Sequence, residues 1–246
     1  MRILVVNPNT TASMTETIAS AAVRVAAAGT EISAVTSAMG PVSIEGYYDE
    51  AFAVPGLLAE IAAGEQAGAD AAVIACFDDT GLDAARAMAA IPVIGICEAG
   101  LAAASFIARR IGVVTTMAIS LDPLEHLVQR YGMAGRARVR AADIPVLSLE
   151  DPNSGARARL EAEIRRSIEE DRSEAIVLGC AGMAEMAAEL QEKYGLPVID
   201  GVGAAVKQAE ALVTLGLRTA KRGAYSFPIS KPYTGLLENF GPSVIR

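Results

Sequence analysis

The chain is written twice. The stretch Ala71-Ala-Val-Ile-Ala-Cys76-Phe-Asp-Asp-Thr-Gly81 returns in altered form as Glu174-Ala-Ile-Val-Leu-Gly-Cys180-Ala-Gly-Met183, its cysteine 104 positions further on. Downstream, Ile91-Pro-Val-Ile-Gly95 is echoed by Leu196-Pro-Val-Ile-Asp200, and upstream Arg2-Ile-Leu-Val-Val-Asn7 by Arg110-Ile-Gly-Val-Val-Thr115, the latter at an offset of 108. Each apolar run is short and bounded by turn or helix-opening residues, the pattern of a strand buried on both faces. Helical stretches separate the runs, so the strands join through right-handed crossovers into parallel sheets.

The expected fold is therefore α/β, with two pseudo-symmetric lobes, each a mainly parallel four-stranded sheet flanked by helices. Lobe 1 takes residues 1–97 and is completed by a returning helix within 202–222. Lobe 2 takes 98–201, and 223–246 forms a Gly/Pro-punctuated tail, mobile or hooked onto a partner subunit. Both cysteines fall at carboxyl ends of strands, where open parallel sheets bind their ligands, which places the site in the cleft between the lobes.

Helices are expected over about 12–28, with Ser13 and Glu16 at capping-box spacing, and over about 49–66, where Pro55 fits only an early turn or a kink. Between them, Gly40 to Tyr48 reads as a long loop of the kind that forms lids.

Composition narrows the partners. A net charge of −8 without a Lys/Arg run leaves no footprint for nucleic acid or anionic membrane. The uncharged run Ile32 to Ile44 is too short to span a bilayer, and the amino terminus enters a strand at Arg2 where a secretory signal would need an apolar core, so a cytoplasmic location is expected. Three cysteines without close spacing then read as free thiols.

A thiol at the start of a helix meets oriented N–H groups that favour thiolate. With two such thiols on opposite faces of a small molecule, one removes a proton from carbon while the other returns one from behind, and the stereocentre inverts. The carbon acid must lie beside a carbonyl whose oxygen meets fixed donors, for which the N–H groups after Cys76 and Cys180 are placed. A single buried cysteine is usually a small apolar filler. Packing does not explain why the same residue recurs at equivalent strand ends, where alanine or valine would serve.

Taken together, Asn7-Pro-Asn-Thr10, Ser43-Ile-Glu-Gly46, Ala75-Cys-Phe-Asp-Asp-Thr-Gly-Leu82 and Val177-Leu-Gly-Cys-Ala-Gly-Met183 resemble the hydantoin racemase branch of the aspartate/glutamate racemase superfamily, over Arg2 to about Thr219. The resemblance implies racemisation of 5-monosubstituted hydantoins without a cofactor, Cys76 and Cys180 as the acid/base pair, a site between two lobes, and a homo-oligomer. Relatives acting on free aspartate or glutamate resemble one another in carrying Asn-Thr directly after the cysteines. Here Phe77-Asp78 and Ala181-Gly182 stand there, which suits a neutral ring better than an anion.

The substrate-binding candidates are Asn9, Ile44, Tyr47, Phe77, Asp78, Asp79, Thr115, Thr116, Ala181 and Gly182. Asn9 serves equally as a cap or Asx turn, Tyr47 and Tyr48 cover either a substrate or the lobe surface, and Thr115 and Thr116 bind a ring or cap a helix. Asp78, Asp79 and Asp83 lack the histidines of a metal site, the lone His126 reads as a helix-surface residue, Cys97 as packing, and Lys207 has no pyridoxal context. The nearest alternative activity is allantoin racemisation. An aspartate/glutamate-type racemase and a non-catalytic two-lobed binding protein stand further off.

Overall fold

A computed structural model describes residues 1–151 and 153–242. The elements are β1 (Arg2–Asn7), α1 (Ala12–Val25), β2 (Glu31–Thr36), α2 (Tyr47–Gln66), β3 (Ala71–Ile74), α3 (Leu82–Met88), β4 (Val93–Gly95) and α4 (Ile96–Ile107). They continue as β5 (Ile111–Thr115), α5 (Leu121–Arg130), β6 (Ala137–Ala141), α6 (Ala156–Glu169), β7 (Ala175–Gly179), α7 (Ala187–Tyr194), β8 (Val198–Asp200) and α8 (Gly201–Thr214). Two four-stranded sheets result, in the orders β2-β1-β3-β4 and β6-β5-β7-β8, with every pairing parallel. The duplication in the sequence is a duplication of topology.

Side chains alternate across each sheet with the period of two that a strand imposes. Ile3, Val5, Ala71 and Val73 face an inner core, whereas Leu4, Val6, Ala72 and Ile74 face an outer cluster with Leu57, Ile61 and Leu82. In the second sheet Val113, Ala175 and Val177 face the same inner core, and Val114, Ile176 and Leu178 face an outer cluster with Leu160 and Ile164. Both faces are covered, so the strands read as unbroken apolar runs.

One inner core thus serves both sheets. It is filled by α1, α4 and α8 through small side chains such as Ala21, Ala22, Ala99, Ala104, Ala205 and Ala209. A Cβ at Gly100 would lie 2.9 Å from Val177 Cγ1, and one at Gly201 would lie 2.6 Å from the Ile96 carbonyl oxygen. The glycines let α4 and α8 approach closely, which is where a chain with 4% aromatics finds its packing. Because α4 starts at Ile96 and α8 at Gly201, the expected lobe boundaries fall in the first turns of two bridging helices.

Four local expectations change. Thr11 stands at the start of α1 without a side-chain cap, and Ser13 Oγ instead donates to Glu150 of the other half at 2.8 Å, so Ser13 and Glu16 form no capping box. Tyr47 and Tyr48 belong to the first turn of α2 and not to the preceding loop, which ends at Gly46 with φ 98°. The helix runs through Pro55, and the exposed position of Ala51 leaves water to satisfy the carbonyl that the proline cannot bond. Cys76 lies six residues ahead of α3, inside a turn closed by Asp79 N–H donating to the Cys76 carbonyl at 3.1 Å, so it is not at a helix start.

After α8 the chain docks beside α3. Lys221 Nζ donates to the Arg86 and Ala87 carbonyls, and Tyr225 hydroxyl to Asp83 at 2.9 Å. The rest of the tail is largely exposed up to residue 242, and its last four positions lie outside the described residues. Among the described residues no helix is long and apolar enough to cross a membrane.

Candidate active site

Equivalent strands carry the two thiols to one place. Cys76 follows β3 and Cys180 follows β7, each next to the central strand of its sheet, and both line a cavity of about 30 Å³. Asn9, Ile44, Phe77, Asp78, Thr115, Thr116 and Ala181 join them in its wall. Tyr47, Asp79 and Gly182 do not. Met14, Ala75, Ser120, Val146 and Gly179 complete the lining, and no motif had drawn attention to them.

A network fixes the β1 edge. Asn7, fully buried, donates through Nδ2 to Asn9 Oδ1 at 2.9 Å and to Thr15 Oγ1 at 3.0 Å, and Thr11 N–H donates to Asn9 Oδ1 at 2.9 Å. Asn9 is both an Asx-turn anchor and a cavity wall, its amide nitrogen meeting only Met14 Sδ, at 3.1 Å. On the opposite side Thr115 hydroxyl donates to the Gly179 carbonyl at 3.0 Å and clamps the end of β5 to that of β7.

Burial dominates the electrostatics. It pushes the Cys76 thiol well above its ordinary range, with the neighbouring Asp78 carboxylate adding to the effect, and raises Cys180 to about 11. The Asp78 N–H faces the Cys76 sulfur and the Gly182 N–H faces that of Cys180. These donors offset burial without overcoming it. Both thiols are therefore less acidic than an ordinary thiol, Cys180 even though it stands at the start of the short 3-10 helix Ala181–Met186.

Asp78 itself is raised to about 7, first by burial, then by Glu50 and Asp79. Glu50, in the first turn of α2, has a buried Oε1 without a hydrogen-bond partner and a carboxyl raised by burial. Nothing in the local sequence singled it out, since it faces the site only through the packing of α2.

Asp79 points the other way. Its carboxylate accepts from the N–H groups of Cys97 and Glu98 at 3.0 and 2.9 Å and from Tyr131 hydroxyl at 2.6 Å, securing the start of α4. Gly95 makes room for it, because a Cβ there would lie 2.2 Å from Asp79 Oδ1. Asp83 pairs with Arg130 at the surface, Lys207 pairs with Glu210, and Cys97 is buried in the inner core. Among the described residues no group of three His, Cys, Asp or Glu side chains could hold a metal ion.

Contacts between the halves border the cavity, which leaves both cysteines partly exposed. Glu45 Oε1 accepts the Val146 N–H at 3.1 Å, which brings Ile44 and Val146 together as lips. Tyr47 hydroxyl, outside, meets His126 Nδ1 at 2.7 Å. The space within it holds roughly two water molecules, less than a five-membered ring with two carbonyl oxygens occupies. Open hollows of about 780 and 540 Å³ lie along the edge strand β6, but neither contains a cysteine.

Twin parallel sheets that meet at a cavity walled by paired thiols define a duplicated α/β protein of the cysteine-pair kind. The chain matches the Asp/Glu/Hydantoin racemase family over residues 3–209, and it belongs to that family. It is 49% identical over 243 residues to a hydantoin racemase of Pseudomonas sp. (strain NS671), covering 98% of this chain and 97% of that protein. With a hydantoin racemase of Rhizobium meliloti it shares 50% identity over 236 residues, 96% of this chain and 98% of the other. Its fold superimposes on an allantoin racemase from Klebsiella pneumoniae with a TM-score of 0.95 at 47% identity, covering 99% of this chain and all of that one.

Proposed function

We propose that the chain racemises 5-monosubstituted hydantoins without a cofactor, with Cys76 and Cys180 as the two acid/base groups. The supporting observation is that both thiols line one cavity from equivalent strand ends, in a chain about half identical to proteins named hydantoin racemase.

In this reading one cysteine, as thiolate, takes the C5 proton. The electron pair left on carbon delocalises into the adjacent ring carbonyl, and the other cysteine, as thiol, delivers its proton from the opposite face. Atoms balance, since one proton is taken and one is given. A raised pKa makes a thiolate scarcer and, once formed, a stronger base, which suits a weak carbon acid. Asp78 is placed to accept a ring N–H, and the Asn9 amide nitrogen, held only by a thioether, is free to donate to a ring carbonyl. Met14, Ile44, Phe77 and Val146 supply an apolar wall for the 5-substituent.

Allantoin, itself a 5-substituted hydantoin, is the second reading, favoured by the fold match to an allantoin racemase. Rates with allantoin and with benzyl- and isobutyl-hydantoin, measured side by side, separate the two.

The test follows each enantiomer in deuterated water. Cys76→Ser and Cys180→Ser are each expected to lose about a thousandfold in rate, within the usual range for a positioned acid or base. Parent-level racemisation by either variant would overturn the assignment. Substrate protection against iodoacetamide without any exchange at C5 would point to a binding protein.

A further inference from the structure

Thr80 follows directly on the turn that carries Cys76. Only 1% exposed, it keeps its Oγ1 buried without a hydrogen-bond partner, an arrangement that ordinarily costs free energy. The hydroxyl is near enough to the Cys76 sulfur to hold that thiol's pKa down. A neutral thiol is a weak acceptor, whereas a thiolate is a strong one.

The second half has no such group. Four residues after Cys180 stands Ala184, where Thr80 stands after Cys76. Cys180 has the Gly182 N–H and no side-chain donor, while Cys76 has the Asp78 N–H and the Thr80 hydroxyl. Negative charge weighs on both sulfurs: Asp78 raises each, Cys180 adds to the load on Cys76, and Glu45 adds to that on Cys180.

We infer that Thr80 is a positioning residue which donates its hydroxyl to the Cys76 thiolate and so levels the two thiols against each other. The inference rests on the acid/base reading of Cys76. Levelling matters because the free protein exists in two forms, with the thiolate on one side or the other, and each form accepts one hand of the substrate. An unequal pair would leave one form scarce. The equilibrium constant of a racemisation is one, so kcat/KM must fall equally in both directions when Thr80 is changed. The individual kcat values are free to diverge.

The experiment measures alkylation of Cys76 by iodoacetamide against pH, in a Cys97→Ser, Cys180→Ser background, with and without Thr80→Val. Loss of one hydrogen bond to a charged group is expected to slow alkylation at pH 8 about tenfold. Thr80→Ser is expected to restore it, and Cys180, read in a Cys76→Ser, Cys97→Ser background, to stay unchanged. Thr80→Val is isosteric and removes an orphan donor, so the melting temperature is expected to hold or rise. An unaltered Cys76 profile, an equal change at both cysteines, or a marked loss of stability in Thr80→Val would overturn the inference. The readout needs no substrate, so it stands apart from the racemase reading, which fails separately if Cys76→Ser keeps parent activity.

Discussion

Glu45 of the first half accepts a hydrogen bond from the main-chain N–H of Val146 in the second, at 3.1 Å, directly beside the two residues that form the lips of the cavity. Ser43 hydroxyl donates to the same oxygen at 3.3 Å, and Ser13 to Glu150 adds a second tie to the segment after Val146. Releasing these ties widens a cavity that otherwise offers little room.

Glu45→Ala is accordingly expected to speed iodoacetamide alkylation of Cys76, whose thiol Glu45 does not perturb, about fivefold, the effect on an opening equilibrium of one hydrogen bond worth about 1 kcal/mol. Glu45→Gln retains an acceptor oxygen and is expected to stay near the parent rate. Equal rates in all three proteins would show that the lips open elsewhere.

Asp78 makes stability depend on pH in a defined direction. Its carboxyl is raised from an ordinary 3.8 to about 7, so across that interval the folded chain holds a proton that the unfolded chain has lost. Stability contributed by the neutral acid is thus present at low pH and lost as pH rises toward 7. Asp78→Asn removes this slope. A gain on the order of 2 kcal/mol at pH 8, vanishing near pH 4, is the expected outcome of denaturant melts. The same substitution relieves the negative field at both sulfurs, so alkylation of both cysteines is expected to accelerate.

Tyr131→Phe removes the hydroxyl that Asp79 accepts at 2.6 Å. The carboxyl is buried and raised to about 6, and the tyrosine is among the groups that hold it down. A loss of about 1–3 kcal/mol is expected. It is greater at pH 8, where Asp79 is charged in both proteins, than at pH 5. A pH-independent loss would indicate that only packing had changed.

Gly179 precedes Cys180 and is pressed against β5. A Cβ there would lie 2.9 Å from Thr115 Cα, Thr115 Cβ and the Val114 carbonyl oxygen, mostly backbone or rigid atoms. Gly179→Ala is expected to destabilise by about 1–3 kcal/mol and, by shifting Cys180, to reduce activity in the folded protein. A fully stable, fully active variant would show that β7 yields more easily than its packing indicates.

Much of this was legible in the chain because strands and strand ends are local. The apolar runs at 111–115 and 175–179 are strands at those positions, and the repeated register matches two sheets of like order. Residues set by long-range packing were not legible. Met14, Ser120 and Val146 reach the site through the way helices and loops from both halves pack around it, and no nearby motif marks them. Asp78 and Asp79, adjacent and chemically alike, were read alike. A backbone turn with Asp79 at φ 47° sends one to the cavity and the other to the start of α4.

The inner core runs without interruption from one sheet to the other, and this separates two properties that enzymes often trade against each other. The gap between the sulfurs is set when the chain folds, by the alanines and glycines of that core. The rim residues Ile44 and Glu45 lie outside it. Variation at these two can therefore alter the mouth of the cavity while the span between the two cysteines stays as it is.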